Sequence, residues 1–167
     1  MKTITLTGMM GAGKSAVAKL LAEKFNCKLL DIDTLIETNE NCSISEIFEN
    51  KGEEYFRTLE KNTILQNTKP ENQVIALGGG AFENPETQEF LLKNSTVIYL
   101  KTQPETIYER IKTDLTRPLL KNNMSIEKIK NIIISRKKNY EKAAYIISTD
   151  SKSIEQIASE ITGVYND

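Results

Sequence analysis

The chain has 167 residues, of which 39% are hydrophobic and 27% are charged, as is usual for a globular protein that forms one domain. Its 22 basic and 23 acidic residues give a net charge of −1, which argues against an overall attraction to nucleic acid or to an anionic membrane. With two cysteines and no histidine, the sequence excludes a disulfide-rich scaffold, a His–Cys zinc site and a histidine base.

The chain starts at once with a strand-like run and shows no signal-peptide pattern. No apolar run approaches the roughly 20 residues that span a bilayer. We therefore expect a cytoplasmic protein that keeps its cysteines reduced.

Five short apolar runs, each followed by turn-forming residues, predict buried parallel strands. They are Thr3–Thr7 (TITLT), Lys28–Asp31 (KLLD), Gln73–Leu77 (QVIAL), Thr96–Leu100 (TVIYL) and Tyr145–Thr149 (YIIST). Helical patterns separate them, which predicts an α/β three-layer sandwich with a five-stranded parallel sheet, in a single domain over residues 1–167.

Helix starts are predicted from capping-box spacing, a hydroxyl residue followed three positions later by Glu or Gln. The pairs are Ser43 with Glu46, Thr102 with Glu105, and Ser153 with Gln156. Apolar periodicity predicts further helices over Ser15–Phe25, Glu53–Asn67 and Ser125–Lys142.

The run Gly8–Ser15, GMMGAGKS, matches the phosphate-binding pattern G-x-x-x-x-G-K-[ST] between a strand and a helix. A glycine-rich turn without a ligand is the alternative, but the strand–loop–helix context favours a nucleotide site. Its backbone N–H groups and the following helix N-terminus would bind phosphate. Lys14 is expected to reach the β- and γ-phosphates, and the Ser15 hydroxyl to bind Mg²⁺. The residues expected to hold the nucleotide phosphates are Gly11, Ala12, Gly13, Lys14, Ser15 and Ala16.

Two further stretches end predicted strands, where parallel sheets bind ligands. In the first, Asp31 is suited to help hold Mg²⁺ and Asp33 to accept a proton from a hydroxyl, although aspartate here also caps helices. In the second, the three glycines of Gly78–Gly80 allow backbone N–H groups to surround a small ligand, or form a plain loop.

Only four of the 22 basic residues are arginines: Arg57, Arg110, Arg117 and Arg136. A chain that uses lysine for most positive charges keeps arginine where a planar, forked donor is needed to grip carboxylate or phosphate. Solvated arginines in surface ion pairs are the alternative.

Together these residues resemble the shikimate kinase family, from Gly8 to about Asp150. The matching motifs are GMMGAGKS, DID (31–33), FRTLE (Phe56–Glu60), GGG (78–80), RPLL (Arg117–Leu120) and RKKNYEKAA (Arg136–Ala144). The resemblance implies a P-loop kinase fold with a lid loop. It also implies ATP-dependent phosphorylation of the 3-hydroxyl of shikimate, a step in aromatic amino-acid biosynthesis.

The resemblance also assigns the acid-binding side of the site, over about residues 33–61 and beyond. Asp33 would bind the reacting hydroxyl, while Arg57 and Arg136 would clamp the carboxylate. The backbone donors would come from Gly78, Gly79 and Gly80. Phe48 and Phe56 are implied as apolar walls, with ordinary helix core as the alternative.

On the nucleotide side, the resemblance makes Lys14 and Arg117 catalytic together with Asp33. Arg117 would lie in a lid, Thr113–Asn123, and fold over the transferring phosphate. Arg110 would pack on the adenine near Asp150, and Ser15 and Asp31 would hold Mg²⁺. The implied ligands are ATP, Mg²⁺ and shikimate; we expect a monomer without nucleic-acid or membrane partners.

Two other functions share part of this pattern. A gluconate kinase would share the P-loop and the lid, but would not need two arginines matched to a ring carboxylate. A P-loop switch protein usually carries an N-K-x-D element for guanine, which this sequence lacks.

Overall fold

A computed structural model of the chain describes residues 1–112 and 125–166. The strands are β1 (Ile4–Thr7), β2 (Lys28–Asp31), β3 (Gln73–Ala76), β4 (Thr96–Lys101) and β5 (Tyr145–Ser148). The helices are α1 (Lys14–Phe25), α2 (Ile32–Glu40), α3 (Ile44–Asn67), α4 (Pro85–Asn94), α5 (Pro104–Ile111), α6 (Ile126–Tyr140) and α7 (Ile154–Asn166), with a 3₁₀ turn at Ala81–Glu83.

The five strands form one sheet in the order β2-β3-β1-β4-β5, and every pairing is parallel. One core packs α1 and α7 against the sheet, and a second core packs α2, α3, α4 and α6. This arrangement confirms the predicted α/β sandwich. Within the described ranges, no helix is both long enough and apolar enough to cross a membrane.

The sheet order brings three predicted ligand-binding segments together. In the register of the sheet Asp31 of β2 lies opposite Ala76 of β3, and Ala76 lies opposite Leu6 of β1. The segments that follow these three strands therefore leave the same edge of the sheet side by side. That edge is where doubly wound parallel sheets bind ligands.

Two of the predicted helix starts are confirmed by reciprocal capping bonds. Glu46 N donates to Ser43 Oγ at 3.2 Å while Ser43 N donates to Glu46 Oε2 at 2.7 Å. Ser153 and Gln156 exchange the same pair of bonds at 3.2 and 2.8 Å. These signals are local, so the sequence predicts them well.

The predicted start at Thr102 with Glu105 is wrong. Helix α5 begins at Pro104 with Gln103 as its N-cap, and no side chain caps it. Thr102 is buried, and its hydroxyl shares a hydrogen bond of 2.6 Å with the Thr149 hydroxyl. Proline suits the first position of a helix and sets the start here. The Thr102 hydroxyl instead joins the segments that directly follow β4 and β5.

The predicted helix over Glu53–Asn67 is the second part of a longer element. Helix α3 begins at Ile44 after the Ser43 cap and is interrupted at Gly52, whose φ of 82° and ψ of 169° are not helical. Glycine tolerates a positive φ without a Cβ clash, so the chain changes direction there. The second part then carries Phe56, Arg57 and Glu60 towards the sheet edge.

Candidate active site

The phosphate loop connects β1 to α1 and is held in a narrow turn. Gly8 has a φ of 143°, and a Cβ at this position would lie 2.6 Å from the Leu100 carbonyl oxygen. Gly13 is the N-cap of α1, with a left-handed φ of 88°. Glycine is therefore required at Gly8 both by its backbone conformation and by the close approach of β4.

Lys14 lies across this loop rather than in solvent. It is only 8% exposed, and its Nζ donates to the carbonyl oxygens of Gly8 at 2.9 Å and Met9 at 3.0 Å. Ser15 and Ala16 are exposed in the first turn of α1, where backbone N–H groups have no partner within the helix. The loop thus combines an ammonium group with the N–H donors of a helix N-terminus, which suits an anion.

The two aspartates after β2 have different local roles. Asp31 is the N-cap of α2, and its Oδ1 accepts a hydrogen bond from Thr34 N at 3.2 Å. The alternative that an aspartate of this pair caps the helix is therefore confirmed, at Asp31. A carboxylate has two oxygens, so capping by Oδ1 is compatible with a metal ligand role for the other. Asp33 lies in the first turn of α2 and is partly buried.

Arg57 on α3 forms an ion pair with a buried carboxylate one helical turn away. Its Nη1 lies 2.9 Å from Glu60 Oε2, and its Nη2 lies 3.6 Å from the exposed Glu53 Oε1. The Glu60 side chain is only 3% exposed. Burial raises the pKa of the Glu60 carboxyl, and the Arg57 guanidinium opposes that effect. The arrangement fixes the guanidinium of Arg57 close to the glycine-rich turn.

Glu60 also approaches Asp33, because both lie against Gly78. A Cβ at Gly78 would be 2.5 Å from Glu60 Oε1 and 2.9 Å from Asp33 Oδ1. Glu60 Oε1 is buried and has no hydrogen-bond partner among the described residues. Two carboxylates thus meet over the first glycine of the turn.

The second arginine reaches the same turn from α6. Arg136 Nη1 and Tyr140 Oη both donate to the Gly79 carbonyl oxygen, at 2.9 and 2.7 Å. From the other side, Arg57 Nη1 and Nη2 would both lie 2.8 Å from a Cβ at Gly80. The turn over residues 78–80 therefore brings together two arginines that are far apart in the sequence.

This arginine pair lines a cavity of about 410 Å³, together with Glu60, Gly80 and Glu83. The turn also touches the phosphate loop, since a Cβ at Gly79 would lie 3.1 Å from Met10 N. A small anion held by the arginines would consequently be bound beside the nucleotide phosphates.

The two phenylalanines on α3 pack on each other, with ring centroids 4.9 Å apart. Phe56 is 4% exposed and belongs to the core, while Phe48 packs against that core and stays partly exposed. The Phe56 ring lies 5.3 Å from the Arg57 guanidinium carbon, within cation–π range. Phe56 thus supports the arginine as well as the core.

On the nucleotide side, Arg110 is exposed on α5, and its Nη1 donates to the Gly11 carbonyl oxygen at 3.0 Å. Asp150 accepts hydrogen bonds from Gln103 N at 3.1 Å and from Thr106 Oγ1 at 2.7 Å, which links the end of β5 to α5. Arg110 is therefore beside the phosphate loop. Arg117 and the expected lid, Thr113–Asn123, lie outside the described residues.

A nucleotide-bound Mg²⁺ is held largely by phosphate oxygens and water, with few protein ligands. The exposed Ser15 hydroxyl and the partly exposed Asp31 carboxylate are hard oxygen donors, which Mg²⁺ prefers. In the described part of the chain, no group of three or more His, Cys, Asp or Glu side chains is arranged around a metal position. The donor set thus fits Mg²⁺ bound together with a nucleotide.

Sequence reasoning missed two contributors to this site. Glu60 received no role although it lies three residues after Arg57, a spacing that places side chains on one helix face. Tyr140, which has no role in the sequence analysis above, stacks on Tyr99 with ring centroids 4.7 Å apart. Its position four residues after Arg136 was the available signal for its second contact, the bond to the glycine turn.

The phosphate loop at the carboxyl edge of a five-stranded parallel sheet, beside a pocket lined by two arginines, defines a P-loop phosphotransferase that acts on a small anionic molecule.

A family model described as shikimate kinase matches residues 10–166. The shikimate kinase of Persephonella marina is 47% identical over 163 residues, covering 98% of both chains. That of a Sulfurihydrogenibium species is 45% identical, covering 96% of both. The structure of shikimate kinase from Acinetobacter baumannii in complex with shikimate matches with a TM-score of 0.96 and 34% identity, over 99% of this chain and 93% of that one. This chain belongs to the shikimate kinase family, whose reaction is the ATP-dependent phosphorylation of a shikimate hydroxyl group.

Proposed function

We propose that this chain transfers the γ-phosphoryl group of ATP to the 3-hydroxyl of shikimate, giving shikimate 3-phosphate and ADP. The observation that carries the proposal is the convergence of Arg57 and Arg136 on the glycine turn beside the phosphate loop. A carboxylate gripped there leaves the rest of a small ring directed towards Asp33 and the loop.

At the acid end, Arg57 and Arg136 would bind the shikimate carboxylate. Arginine suits this role because its planar fork matches both carboxylate oxygens. The ion pair with Glu60 orients Arg57, and the hydrogen bond to the Gly79 carbonyl oxygen orients Arg136. The N–H groups of Gly78–Gly80 would add backbone donors, and Phe48 and Phe56 an apolar wall.

At the reacting end, Asp33 would accept a hydrogen bond from the 3-hydroxyl. The hydroxyl oxygen forms the new bond to the γ-phosphorus while the bond from that phosphorus to the ADP oxygen breaks, and the hydroxyl proton passes to Asp33. Because the transition state of phosphoryl transfer is loose, orienting the hydroxyl contributes more than removing its proton early.

At the phosphate end, Lys14 would exchange its contacts with the Gly8 and Met9 carbonyls for the β- and γ-phosphates. The phosphates would receive backbone donors from Gly11, Ala12, Gly13, Lys14, Ser15 and Ala16. Mg²⁺, held by Ser15 and Asp31, would neutralise charge on the phosphates when bound. Arg110 would lie at the adenine, and Arg117, in a lid over 113–123, at the transferring phosphate. Both of these roles rest on the family resemblance.

The test is ADP release by the purified protein with Mg-ATP and either no acceptor, shikimate or gluconate. We expect release that depends on shikimate and stays at the basal rate with gluconate. A Lys14→Ala preparation purified in parallel measures ADP formed by contaminating enzymes. We call the proposed carboxylate site, formed by Asp33, Arg57, residues 78–80 and Arg136, the acid pocket. Release with gluconate but not with shikimate would contradict this assignment, while the proposed role of the phosphate loop would still be supported.

We also propose that the chain works as a cytoplasmic monomer without nucleic-acid partners. The sequence carries only two cysteines, which suits a reducing compartment, and its net charge of −1 does not favour nucleic acid. Light scattering on the eluting peak of a gel-filtration column tests the monomer, for which we expect a mass near 18.9 kDa.

A further inference from the structure

One face of α6 holds the loop that follows β3 at two separate points. Arg136, Asn139 and Tyr140 share this face because residues three and four apart on a helix are neighbours. Arg136 and Tyr140 donate to one acceptor, the Gly79 carbonyl oxygen. Asn139 Nδ2 donates to Glu83 Oε2 at 2.9 Å, at the end of the 3₁₀ turn.

The Asn139–Glu83 bond restrains a rotation between α6 and the loop that the bonds to Gly79 alone would allow. Core packing holds α6 through Ile129 and Tyr140. Bonds to the single oxygen of Gly79 fix the distance between α6 and the turn but leave the following loop free to rotate about that oxygen relative to the helix. The Asn139–Glu83 bond adds an attachment four residues further along the loop. A helix held at both points presents Arg136 at a defined angle to the cavity.

Glu83 is an unusual choice for a contact that only stabilises the fold. It lines the cavity that Arg57 and Arg136 share, and its Oε1 is buried without a hydrogen-bond partner among the described residues. A buried acceptor without a partner is unfavourable, so an apolar contact between the loop and α6 would stabilise the fold better. A hydrogen bond is directional, so the Asn139–Glu83 bond restricts the orientation of α6 relative to the loop more closely than an apolar contact would.

We propose that Glu83 and Asn139 are a positioning pair for Arg136: their hydrogen bond sets the angle of α6 and thereby the affinity for the substrate carboxylate, without touching the substrate. This inference rests on the proposed function, in which Arg136 binds that carboxylate. Neither Glu83 nor Asn139 has a described bond to the phosphate loop, whereas Arg136 Nη1 reaches Met9 Sδ there at 3.8 Å. We therefore expect a smaller effect on nucleotide binding than on binding of the carboxylate.

The first test measures KM for shikimate, KM for ATP and kcat in Glu83→Ala and Asn139→Ala. We expect KM for shikimate to rise about three- to tenfold, with kcat and KM for ATP within about twofold of the parent chain. Glu83→Gln keeps a carbonyl oxygen for Asn139, so its KM for shikimate is expected within about twofold of the parent value.

The matched control is Glu86→Ala. Glu86 is 62% exposed and forms an ion pair at 2.9 Å with Lys61, which lines the same cavity. None of its described hydrogen bonds or ion pairs reaches α6. We expect unchanged kinetics. Thermal unfolding of each variant identifies any loss of folding, and Glu83→Gln keeps the test decisive if Glu83→Ala folds poorly. An equal rise in KM in Glu83→Gln and Glu83→Ala would overturn the role of the hydrogen bond.

The second test combines Glu83→Ala with Arg136→Lys. If the pair acts through Arg136, the double variant has a KM for shikimate close to that of Arg136→Lys alone; fold-changes that multiply would overturn the inference. An unchanged KM in Arg136→Lys would refute the carboxylate clamp, and with it the proposed function of this residue. A raised KM in Arg136→Lys, with unchanged values in Glu83→Ala and Asn139→Ala, would refute the positioning pair alone.

Discussion

The phosphate loop and the acid pocket lie side by side but are constructed differently. The loop is one continuous stretch between β1 and α1, and its lysine bonds to carbonyls five and six residues away. The acid pocket takes its groups from α2, α3, the turn after β3 and α6. The bond from Tyr140 to Gly79 joins residues 61 positions apart, and that from Arg136 to Met9 joins residues 127 positions apart. A contiguous site depends on local backbone geometry, whereas a dispersed one depends on the packing of the whole layer.

The largest effect on turnover is expected from a substitution that removes the carboxylate at the reacting hydroxyl and leaves the phosphate loop intact. Asp33→Asn should lower kcat by about a hundredfold or more, because a neutral amide orients the hydroxyl less strongly than a carboxylate and cannot take its proton. The KM for ATP should stay within about twofold, since the loop does not include Asp33. Initial rates over a matrix of ATP and shikimate concentrations measure both.

Glu54→Gln, an exposed carboxylate on α3, is the control for Asp33→Asn and should behave like the parent chain. Near-normal turnover in Asp33→Asn would remove this residue from the mechanism. A parallel loss of ATP affinity would instead indicate that the loop and the pocket are not separable.

Gly78→Ala tests the packing of the acid pocket. The added Cβ would lie 2.5 Å from Glu60 Oε1 and 2.9 Å from Asp33 Oδ1, so both carboxylates must move. Such overpacking costs about 1–3 kcal/mol of unfolding free energy, and we expect kcat/KM for shikimate to fall with it while the KM for ATP holds. Denaturant unfolding and steady-state kinetics measure the two effects.

Gly163→Ala supplies the matched control for Gly78→Ala. It lies in α7, where a Cβ would meet nothing within 4 Å, and alanine should stabilise that helix by about 0.5–1 kcal/mol. If Gly78→Ala kept both the stability and the kinetics of the parent chain, the close approach of the two carboxylates would be refuted.

Two substitutions of Asp31 distinguish its role as the N-cap of α2 from its proposed role as a Mg²⁺ ligand. Asp31→Ala should lower the free energy of unfolding by about 1 kcal/mol through loss of the cap, and should raise the Mg²⁺ concentration needed for half-maximal activity. Asp31→Ser keeps an N-cap acceptor, so it should retain stability and lose only the Mg²⁺ response. An unchanged Mg²⁺ requirement in both variants would leave Asp31 as a helix cap alone.

The smallest expected effect concerns the pH dependence of stability. Burial raises the pKa of Glu60 above its ordinary value of 4.5, the Asp33 charge adds to this, and Arg57 and Arg136 oppose it. Between the unfolded and folded pKa values the folded chain binds more protons, so stability falls as pH rises through that interval. Urea midpoints measured from pH 4 upward should therefore decline less steeply in Glu60→Gln. The exposed Glu89→Gln is the control, and an equal decline in Glu60→Gln and the parent chain would contradict the raised pKa.

The same division between local and dispersed features explains which predictions succeeded. The cap at Ser43 depends on residues three positions apart and was predicted correctly, as was the Asp31 cap as one of two alternatives. The start at Thr102 was wrong because its hydroxyl shares a hydrogen bond with that of Thr149, 47 residues away and directly after the neighbouring strand β5. A sequence pattern that spans a few residues cannot predict a hydrogen-bond partner so far away in the chain.

The sequence by itself determined the alternation of strands and helices, the phosphate loop at Gly8–Ser15 and the family. These depend on short-range periodicity, capping and contiguous motifs. Only the tertiary structure showed that Glu60 holds Arg57, that Tyr140 and Arg136 share the Gly79 carbonyl, and that Asn139 reaches Glu83. Each of these contacts needs a helix packed at a particular angle on a particular turn, and many weak contacts spread over the chain contribute to that angle alongside the hydrogen bonds named here.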